Sequence, residues 1–596
     1  MHLAKRLITT MALTAGVMPS LMPYAAMAAA PATPIQHVII VVGENHTFDN
    51  LFGTYQPKPG QKIWNLLSQG IVYSDGTPGS NFGKAAQNIG VDKGLYHVRT
   101  GNAGSYATLP QPYTTYGLGL PQGVLDTRFP TDLPNGPYQI TKYVPYAAYT
   151  GDPVHRFFQM WQDWDDGKLD KFVFVETTIG TGSNGAPPPA GGFNPMEGAI
   201  SMGFNNMNPY TDAHGAAQSG DAAVFKSLAD NYAISDNYHQ AIMGGTGANF
   251  QAIVSGDAAF FTNPDGTPGV PFGNQIENPN PVKGTNNYYT QDGYGGGSYV
   301  NCSDPGNPGV ASINGILNSH QVVNHRCAPN TWYLVNNYSM YWNANGTTNP
   351  LGSDKFVLPP QSNPTIADVL SANNVSWKYY SGDRGNDVTR FANSVDGIPL
   401  AFHSYCGICD PLTGYTSIMT TSKANNLQGY GAFLDDVQSG NLPAVSFVRP
   451  FEALAGHPAD STSDLYEVFI QDLIAKVKAN PTLWANTAIL VTTDEGGGYY
   501  DSGYIQPVDF FGDGTRIPFI AVSPWAKQGF VDHTYYDHVS LLKFIERNWS
   551  LPTVSARSRD NLPNPVASAS NPYRPRNGAA IGDLMNLFDF TKPPHG

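Results

Sequence analysis

The chain has 596 residues and a formal net charge of −14 at pH 7; 13% of its residues are charged and 12% are aromatic. The aromatic content argues against a disordered chain, and 63 glycines with 48 prolines indicate a folded protein that is rich in loops. Because the net charge is negative and the basic residues form no run after Lys5 and Arg6, we expect no nucleic-acid partner.

The N-terminus has the parts of a secretory signal peptide. Lys5 and Arg6 precede an apolar stretch, and an alanine-rich segment ends near Ala28 to Ala30. We therefore predict a signal peptide over residues 1–30 and an exported protein, either periplasmic or extracellular. No other segment has about 18 uninterrupted apolar residues, so we expect no transmembrane helix.

Residues 37–42, with the sequence HVIIVV, predict a buried parallel strand. Glu44 and Asn45 follow it at the carboxyl end, where open α/β sheets bind their ligands. A carboxylate and an amide carbonyl are the hard oxygen ligands that divalent cations prefer. The alternative is a turn in which Asn45 bonds to nearby backbone and Glu44 is merely exposed.

Residues 151–257 contain predicted helical pieces and a glycine-rich loop, MGGTGANF. Thr246 lies in this loop just before a predicted helix, whose free N–H groups could hold a phosphate. A hydroxyl beside a cation can act as a nucleophile, and Gly245 and Asn249 could bind the same phosphate. The alternative is a turn in which Thr246 only caps the helix.

Residues 258–360 are rich in Gly, Asn and Pro, and we interpret them as an ordered insertion in one catalytic domain, residues 31–555. Residues 556–596 are predicted to be a C-terminal tail that packs on this domain. An exported chain with four cysteines is expected to form disulfides, and chain order suggests the pairs Cys302–Cys327 and Cys406–Cys409. The alternative is a zinc site with four thiolates.

Residues 440–550 alternate between predicted strands and helices. A helix over residues 461–481 has one apolar face, and Ser461 followed by Asp464 resembles a capping box. Strands that alternate with helices predict an α/β fold, with a mostly parallel sheet and helices on both faces.

The predicted strand TAILVTT is followed by Asp494 and Glu495, and then by three glycines. Adjacent carboxylates beside an apolar strand repel one another unless they share a cation. Together with Glu44 and Asn45 they predict a site for one divalent ion, which these oxygen ligands allow to be Ca²⁺, Mg²⁺ or Mn²⁺. The alternative is an acidic turn.

Four histidines lie in contexts that suggest a function, namely His155, His403, His457 and His538. Imidazole can hold phosphate oxygens or protonate a leaving group. His538 lies inside the last predicted helix, and we interpret it as structural.

Six segments together resemble one family, the bacterial and plant phosphoesterases that include non-specific phospholipases C and exported acid phosphatases. HVIIVVGENHTFDNLFG is similar to the opening signature of that family. Five further segments of this chain resemble later blocks of the family and stand in the same order. They are GKLDKFV, LADNYAISDNYHQAIMGGTGAN, GHPAD, TDEGGGYYD and SPWAKQGFVDHTYYDHVSLLKFIERNW. The Asp494-Glu495 pair is closer to the phospholipase pattern, whereas the stretch around Thr246 is closer to the acid phosphatases.

The resemblance implies an alkaline phosphatase-like core and a covalent phospho-enzyme. The site residues that it implies are the nucleophile Thr246, the metal ligands Glu44, Asn45, Asp494 and Glu495, and the phosphate-binding histidines His155, His403 and His457. We therefore predict an acid phosphatase-like hydrolase with a phosphothreonine intermediate. The alternatives are a phospholipase C acting on phosphatidylcholine-type lipids, a sulfate ester hydrolase, and a secreted glycan-binding protein without catalysis.

Overall fold

The computed structural model describes residues 29–92, 95–114, 120, 123–178, 197–280, 296–384 and 405–595. The predicted signal peptide lies almost wholly outside these residues, and so does His403. The α-helices of the described residues are Phe48–Phe52, Phe157–Trp164, Phe172–Thr178, Ala223–Asn231, Thr246–Ser255, Val310–Ser319, Ile366–Ala372, Thr416–Met419, Tyr430–Ser439, Ser463–Lys478, Pro481–Trp484 and Ser540–Trp549.

The described residues also form β-strands, which are numbered in chain order. These strands are β1 His37–Gly43, β2 Asn88–Val91, β3 Gly101–Ser105, β4 Tyr138–Gln139, β5 Gly203–Phe204, β6 Tyr210–Thr211, β7 Ala217–Gln218, β8 Ala233–Ser235, β9 Tyr238–His239, β10 Tyr299–Val300, β11 Tyr333–Leu334, β12 Trp377–Ser381, β13 Leu427–Gly429, β14 Val445–Arg449, β15 Thr487–Thr493, β16 Phe519–Val522, β17 Phe530–Asp532 and β18 Tyr536–Asp537.

Eight of these strands form one sheet in the order β13-β12-β14-β1-β15-β16-β8-β17. β16 is antiparallel to both of its neighbours, and all the other pairings in the sheet are parallel. All seven residues of β15 are buried. Since successive side chains of a strand point to opposite faces, both faces of the sheet are covered at its centre. The predicted α/β class with a mostly parallel sheet is confirmed.

The long helix near residue 470 follows its predicted pattern but begins differently. The predicted apolar positions Tyr466, Phe469, Ile470, Leu473 and Val477 are all buried. Burial of side chains of this size contributes roughly 1.5–3 kcal/mol each, so tertiary packing is what stabilises the helix.

The capping box predicted for this helix is wrong. The helix spans Ser463–Lys478 and its N-cap is Thr462, which makes no capping hydrogen bond. The hydroxyl of Ser461 instead donates to Ala453 O at 2.8 Å. A tertiary partner has therefore taken the side chain that the local motif assigned to the cap.

The region predicted as an insertion has its own small elements. β10 pairs with β11, the helix Val310–Ser319 lies between them in sequence, and Cys302 is bonded to Cys327. A second disulfide joins Cys406 to Cys409. Both predicted pairings are confirmed, and none of the four cysteines is left as a thiolate for the alternative zinc site.

The residues after 555 contact the main sheet and its loops. Arg559 forms a buried ion pair with Asp509, Tyr573 Oη donates to Asp236 at 2.9 Å, and Phe588 stacks on Phe544. In the part of the chain that the structure describes, no helix is both long and apolar enough to cross a bilayer.

Candidate active site

Two of the predicted acidic motifs meet at the carboxyl edge of the sheet. β1 and β15 are parallel neighbours, with Gly43 opposite Thr493 in the register. Glu44 and Asp494 are the next residues of the two strands, and Asp494 N donates to Gly43 O at 3.0 Å. Both carboxylates are buried. Parallel pairing has therefore brought together two motifs that are 450 positions apart in the chain.

Glu44 is held by a buried arginine that the sequence did not suggest. The guanidinium of Arg449, the last residue of β14, pairs with both Glu44 and Glu452. Cys409 Sγ lies 3.2 Å from Glu44 Oε1, a contact and not a donated bond because this sulfur belongs to a disulfide. The end of β14 thus supplies the positive charge that a buried carboxylate requires.

Asn45 connects the two strand ends. Its φ of +54° lies in the left-handed region that asparagine tolerates better than most residues. Asn45 N donates to Asp494 Oδ1 at 3.2 Å, and Asn45 Nδ2 lies 3.5 Å from Asp152 Oδ1. The turn therefore directs its amide side chain into the group of acidic residues instead of into solvent.

One oxygen of Asp494 receives no hydrogen bond from the part of the chain that the structure describes. Its Oδ1 accepts from Asn45 N and from Glu495 N, the latter at 2.8 Å, whereas its Oδ2 is buried without a hydrogen-bond partner. Burial raises the pKa of Asp494 to about 8, and the charge of Glu44 adds to this shift. A buried carboxylate oxygen that is left over at the sheet edge fits a cation ligand.

His457 lies between these charges. Its Nδ1 faces Pro458 O at 2.7 Å, and its Nε2 lies 3.1 Å from Asn45 Nδ2 and 3.7 Å from Glu44 Oε2. Burial lowers the pKa of His457, but Asp152 and Glu44 outweigh that effect and raise the pKa to about 10.

The raised pKa and the Asn45 contact disagree, because a protonated Nε2 cannot accept the amide hydrogen. They agree if the Asn45 amide is rotated so that its oxygen accepts from His457. They also agree if a cation beside Glu44 offsets the carboxylate charge. Without such a cation, the surrounding carboxylates set the upward direction of the pKa shift.

His155 lies close to His457 and Asp152. One oxygen of Asp152 and one ring nitrogen from each of His155 and His457 all lie within 4.8 Å of one another. His155 Nδ1 lies 2.7 Å from Pro153 O, which favours the tautomer with its proton on Nδ1. Asp152 was not among the residues predicted from the sequence, although it stands three positions before His155.

Thr246 faces the second acidic residue of the β15 motif. It is the first residue of the helix Thr246–Ser255, and its Oγ1 lies 3.4 Å from Glu495 Oε1. Both side chains are buried. The hydroxyl thus combines a helix N-terminus, which favours anions, with a carboxylate that can accept its proton.

Asn249 and Gly245, the predicted phosphate ligands, support the loop before Thr246. Asn249 Nδ2 donates to Gly244 O at 2.8 Å and to Ile242 O at 3.1 Å, and Asn249 Oδ1 accepts from Ile242 N at 3.0 Å. Gly245 is the N-cap of the helix. The structure thus uses the Asn249 amide to hold the loop in shape.

His538, which we interpreted as structural, joins the two halves of the site. Its Nδ1 accepts from Ala241 N at 3.3 Å, and its Nε2 lies 3.0 Å from Thr493 O. Burial lowers the pKa of His538 to about 4. The neutral ring with its proton on Nε2 therefore bridges the loop before Thr246 and the end of β15.

The predicted metal ligands offer the donor set that a hard divalent cation requires. Glu44, Asn45, Asp494 and Glu495 are all buried at one edge, and Asp494 Oδ2 has no hydrogen-bond partner among the described residues. Among the described residues, two groups have ligand atoms that converge within 4.8 Å: Asp152, His155 and His457, and Glu44 and Glu452 with two disulfide sulfurs. The group with the disulfide sulfurs contains Glu44, which is also one of the predicted metal ligands. Neither group contains Asn45, Asp494 or Glu495.

Comparisons with known proteins agree with the sequence motifs. A model of the Phosphoesterase family matches residues 35–552. Phospholipase C B of Mycobacterium tuberculosis (strain ATCC 25618 / H37Rv) is 23% identical over 94% of this chain and 79% of its own length. A probable acid phosphatase of Kluyveromyces lactis is 26% identical over 37% of this chain and 50% of its own length.

The fold comparison is weaker. A solved structure of a protein in the alkaline phosphatase superfamily from Vibrio parahaemolyticus matches 56% of this chain and 62% of its own chain. Its sequence identity is 11% and its TM-score is 0.25. An overlap of this size does not establish a shared fold, so the alkaline phosphatase-like core stays a prediction.

Proposed function

The chain belongs to the phosphoesterase family and is a phosphoric ester hydrolase, and on this premise we propose that it is an acid phosphatase-like enzyme with Thr246 as its nucleophile. The observation that carries this proposal is the Thr246 hydroxyl, which lies 3.4 Å from the Glu495 carboxylate at the start of a buried helix. A hydroxyl nucleophile needs an acceptor for its proton and a positive field for the phosphate, and this position supplies both.

The reaction then has two steps. The Thr246 oxygen attacks phosphorus, its proton passes to Glu495, and the bond to the leaving alcohol breaks. Water next attacks the phosphothreonine, which releases inorganic phosphate and restores the hydroxyl. The positive end of the dipole of the ten-residue helix stabilises the phosphoryl oxygens in both steps.

We propose that the remaining predicted residues bind the phosphate, bind the metal ion or protonate the leaving alcohol. His155 and His457 lie within reach of one site and would hold phosphate oxygens or protonate the leaving alcohol. His403 is assigned the same role by resemblance alone and lies outside the described residues. Glu44, Asn45, Asp494 and Glu495 would hold one divalent ion, which supplies Lewis-acid polarisation of the phosphate when bound.

The first prediction tests the nucleophile. Thr246→Ala is expected to fold normally and to lose at least about 10³-fold of the hydrolysis of p-nitrophenyl phosphate, since no other residue forms the intermediate. Acid quench and mass spectrometry should find phosphothreonine at residue 246 in the wild type only. Ser255→Ala, at the other end of the same helix, is the matched control. Wild-type turnover by Thr246→Ala would refute the mechanism.

Phospholipase C is the second candidate. It is favoured by the M. tuberculosis relative, which is named a phospholipase C and aligns over 94% of this chain. The two candidates are separated by comparing hydrolysis of phosphatidylcholine vesicles with hydrolysis of small phosphomonoesters, each with and without chelator. Hydrolysis of a sulfate ester, measured in the same panel, tests the alternative of a sulfate ester hydrolase. Family membership leaves the non-catalytic glycan-binding alternative without support.

We also propose that the protein is exported. The support is the pattern of residues 1–30 together with two disulfides, because disulfides persist in oxidising compartments. N-terminal sequencing of the mature protein from periplasm and culture medium would test it. A mature chain that keeps residues 1–30 would contradict the proposed cleavage.

A further inference from the structure

Two adjacent asparagines of the insertion contact both halves of the proposed phosphate site. Asn336 Oδ1 accepts from Phe157 N at 2.9 Å, at the start of the helix that follows His155. Asn337 Oδ1 accepts from Gly247 N at 2.7 Å, directly after Thr246. Both asparagines are buried. One dipeptide therefore bonds to the first turns of two helices that are separate in sequence.

These helices do not cap themselves. The N-cap positions are Arg156 for the helix Phe157–Trp164 and Gly245 for the helix Thr246–Ser255, and neither makes a side-chain capping bond. The first N–H groups of a helix have no partner within the helix, and burying one without a bond is costly. The insertion thus supplies the acceptors that the local sequences lack.

The loop before Thr246 lies directly on the same segment of the insertion. A Cβ atom at Gly244 would overlap the carbonyl oxygen of Val335, and one at Gly245 would lie 2.6 Å from Asn337 Oδ1. Glycine is therefore required here so that the two backbones can approach closely. This approach fixes Thr246 relative to Asn337.

The His155 side is held by the same insertion through a second contact. Arg156, between His155 and Phe157, forms a buried ion pair with Glu277 and donates to Gly297 O at 2.9 Å. Removing these contacts would therefore leave Arg156, next to His155, without the insertion residues that hold it in place.

The asparagines themselves are held by backbone pairing. Val335 N donates to Ser298 O at 2.9 Å, and Leu334 N donates to Ala259 O at 2.8 Å. β11, which ends at Leu334, pairs with β10. A side chain that follows a paired strand is well placed to position its partners, because its own backbone is constrained.

We propose that Asn336 and Asn337 are positioning residues that hold His155 and Thr246 in a fixed relation, so that the insertion is part of the catalytic machinery. The proposal rests on the proposed roles of Thr246 and His155. Asn337 acts on the nucleophile and should affect kcat, whereas Asn336 acts through the His155 helix and should affect phosphate binding.

The test uses Asn337→Ala and Asn336→Ala in the full-length enzyme, with p-nitrophenyl phosphate as substrate and inorganic phosphate as competitive inhibitor. Asn337→Ala is expected to lower kcat about 100-fold with little change in KM, since a small displacement of a reacting group has effects of this order. Asn336→Ala is expected to raise the inhibition constant of phosphate about tenfold, equal to about 1.4 kcal/mol.

Asn343→Ala is the matched control: within the described part of the chain, the side chain of this residue of the same insertion bonds only inside its own turn, to Thr347 Oγ1 at 3.0 Å. A general loss of stability would change the melting temperature but not the kcat of the folded fraction. The proposal is overturned if folded Asn337→Ala keeps wild-type kcat, or if Asn343→Ala loses as much. Should Asn337→Ala fail to fold, Asn337→Ser is compared in its place, and wild-type kcat there overturns the proposal equally.

Thr246→Ala separates this proposal from the proposed function. If Thr246→Ala stays active, the nucleophile assignment fails, and the reason for a defect in Asn337→Ala must be sought elsewhere. If Thr246→Ala is inactive while Asn337→Ala is fully active, only the positioning role fails.

Discussion

Buried charges at the ends of neighbouring strands give the candidate site its chemistry. Glu44 at the end of β1 pairs with Arg449 at the end of β14, and Asp494 at the end of β15 lies beside them. Water cannot screen these groups, so each charge depends on the protein for a partner. A single residue such as Arg449 therefore affects both the stability of the fold and the charge at the site.

Arg449→Met is expected to lower the free energy of unfolding by about 3–5 kcal/mol, because it leaves the buried carboxylate of Glu44 without its cation and removes the partner of the half-buried Glu452. Urea unfolding followed by circular dichroism measures the change. Arg449→Lys keeps the charge and should lose less than the Met variant. A Met variant as stable as the wild type would show that the pair contributes nothing to stability.

The acidic residues at the strand ends were predictable from the sequence, but the residues that contact them were not. Glu44 and Asp494 each follow an apolar strand within two residues, which is a local pattern. Arg449 also closes an apolar strand, yet nothing in the sequence indicates that it faces Glu44, 405 positions away. Asp152 stands near His155 in sequence, but its approach to Asn45 depends on the tertiary fold.

Helix starts in this protein are often completed by a different element. Asn336 and Asn337 do so for two helices, and Glu467 does so for a third. Glu467 Oε1, on the helix Ser463–Lys478, accepts from Phe225 N at 2.9 Å. The N-cap of the helix Ala223–Asn231 is Ala222, which has no side chain to accept a bond. Because the capping carboxylate of Glu467 is buried, its protonation makes the stability of the protein depend on pH.

Burial raises the pKa of Glu467 from 4.5 to about 7, against the lowering effect of its bonds to backbone N–H groups; Asp464 adds to the rise. Because the folded state binds this proton more tightly than the unfolded state, stability falls as pH rises from about 4.5 to about 7. The loss amounts to roughly 3 kcal/mol at most.

Glu467→Gln keeps the acceptor but cannot titrate. The variant should match the wild type near pH 5 and be more stable near pH 8, as measured by melting temperature across this range. Asp472→Asn is the control, because this carboxylate of the same helix pairs with Lys476 and does not accept the Phe225 bond. Parallel pH profiles for wild type and Glu467→Gln would contradict the assignment.

Over the whole molecule, the C-terminal tail completes the buried charge balance near the Thr246 loop. Arg559 pairs with Asp509 and Asp513, and its Nη1 also donates to Ala241 O at 2.5 Å. Ala241 N in turn donates to His538, which bridges to β15. Residues near both ends of the chain therefore contribute to the same site.

Arg559→Met is expected to destabilise the protein by about 3–5 kcal/mol, since it leaves the buried carboxylate of Asp513 without its cation, whereas Asp509 keeps Arg326. Lys592→Met is the control: Lys592 of the same tail pairs with Asp589 and its side chain is 76% exposed, so its loss should have little effect on stability. Urea unfolding of both variants gives the comparison. Equal losses would show that burial does not decide the effect.

The sequence by itself determined the apolar strands, the acidic residues that follow β1 and β15, the disulfide pairs and the apolar face of the long helix. These features depend on neighbours within a few residues, or on the simplest pairing in chain order. Only the tertiary structure decided that Glu44 meets Arg449, that Asn337 bonds to Gly247 and that Ser461 does not cap its helix. Such contacts join buried polar groups that are 8 to 405 positions apart. Each forms because a buried polar group needs a hydrogen-bond or ion-pair partner, and local sequence patterns do not show which residue that partner is.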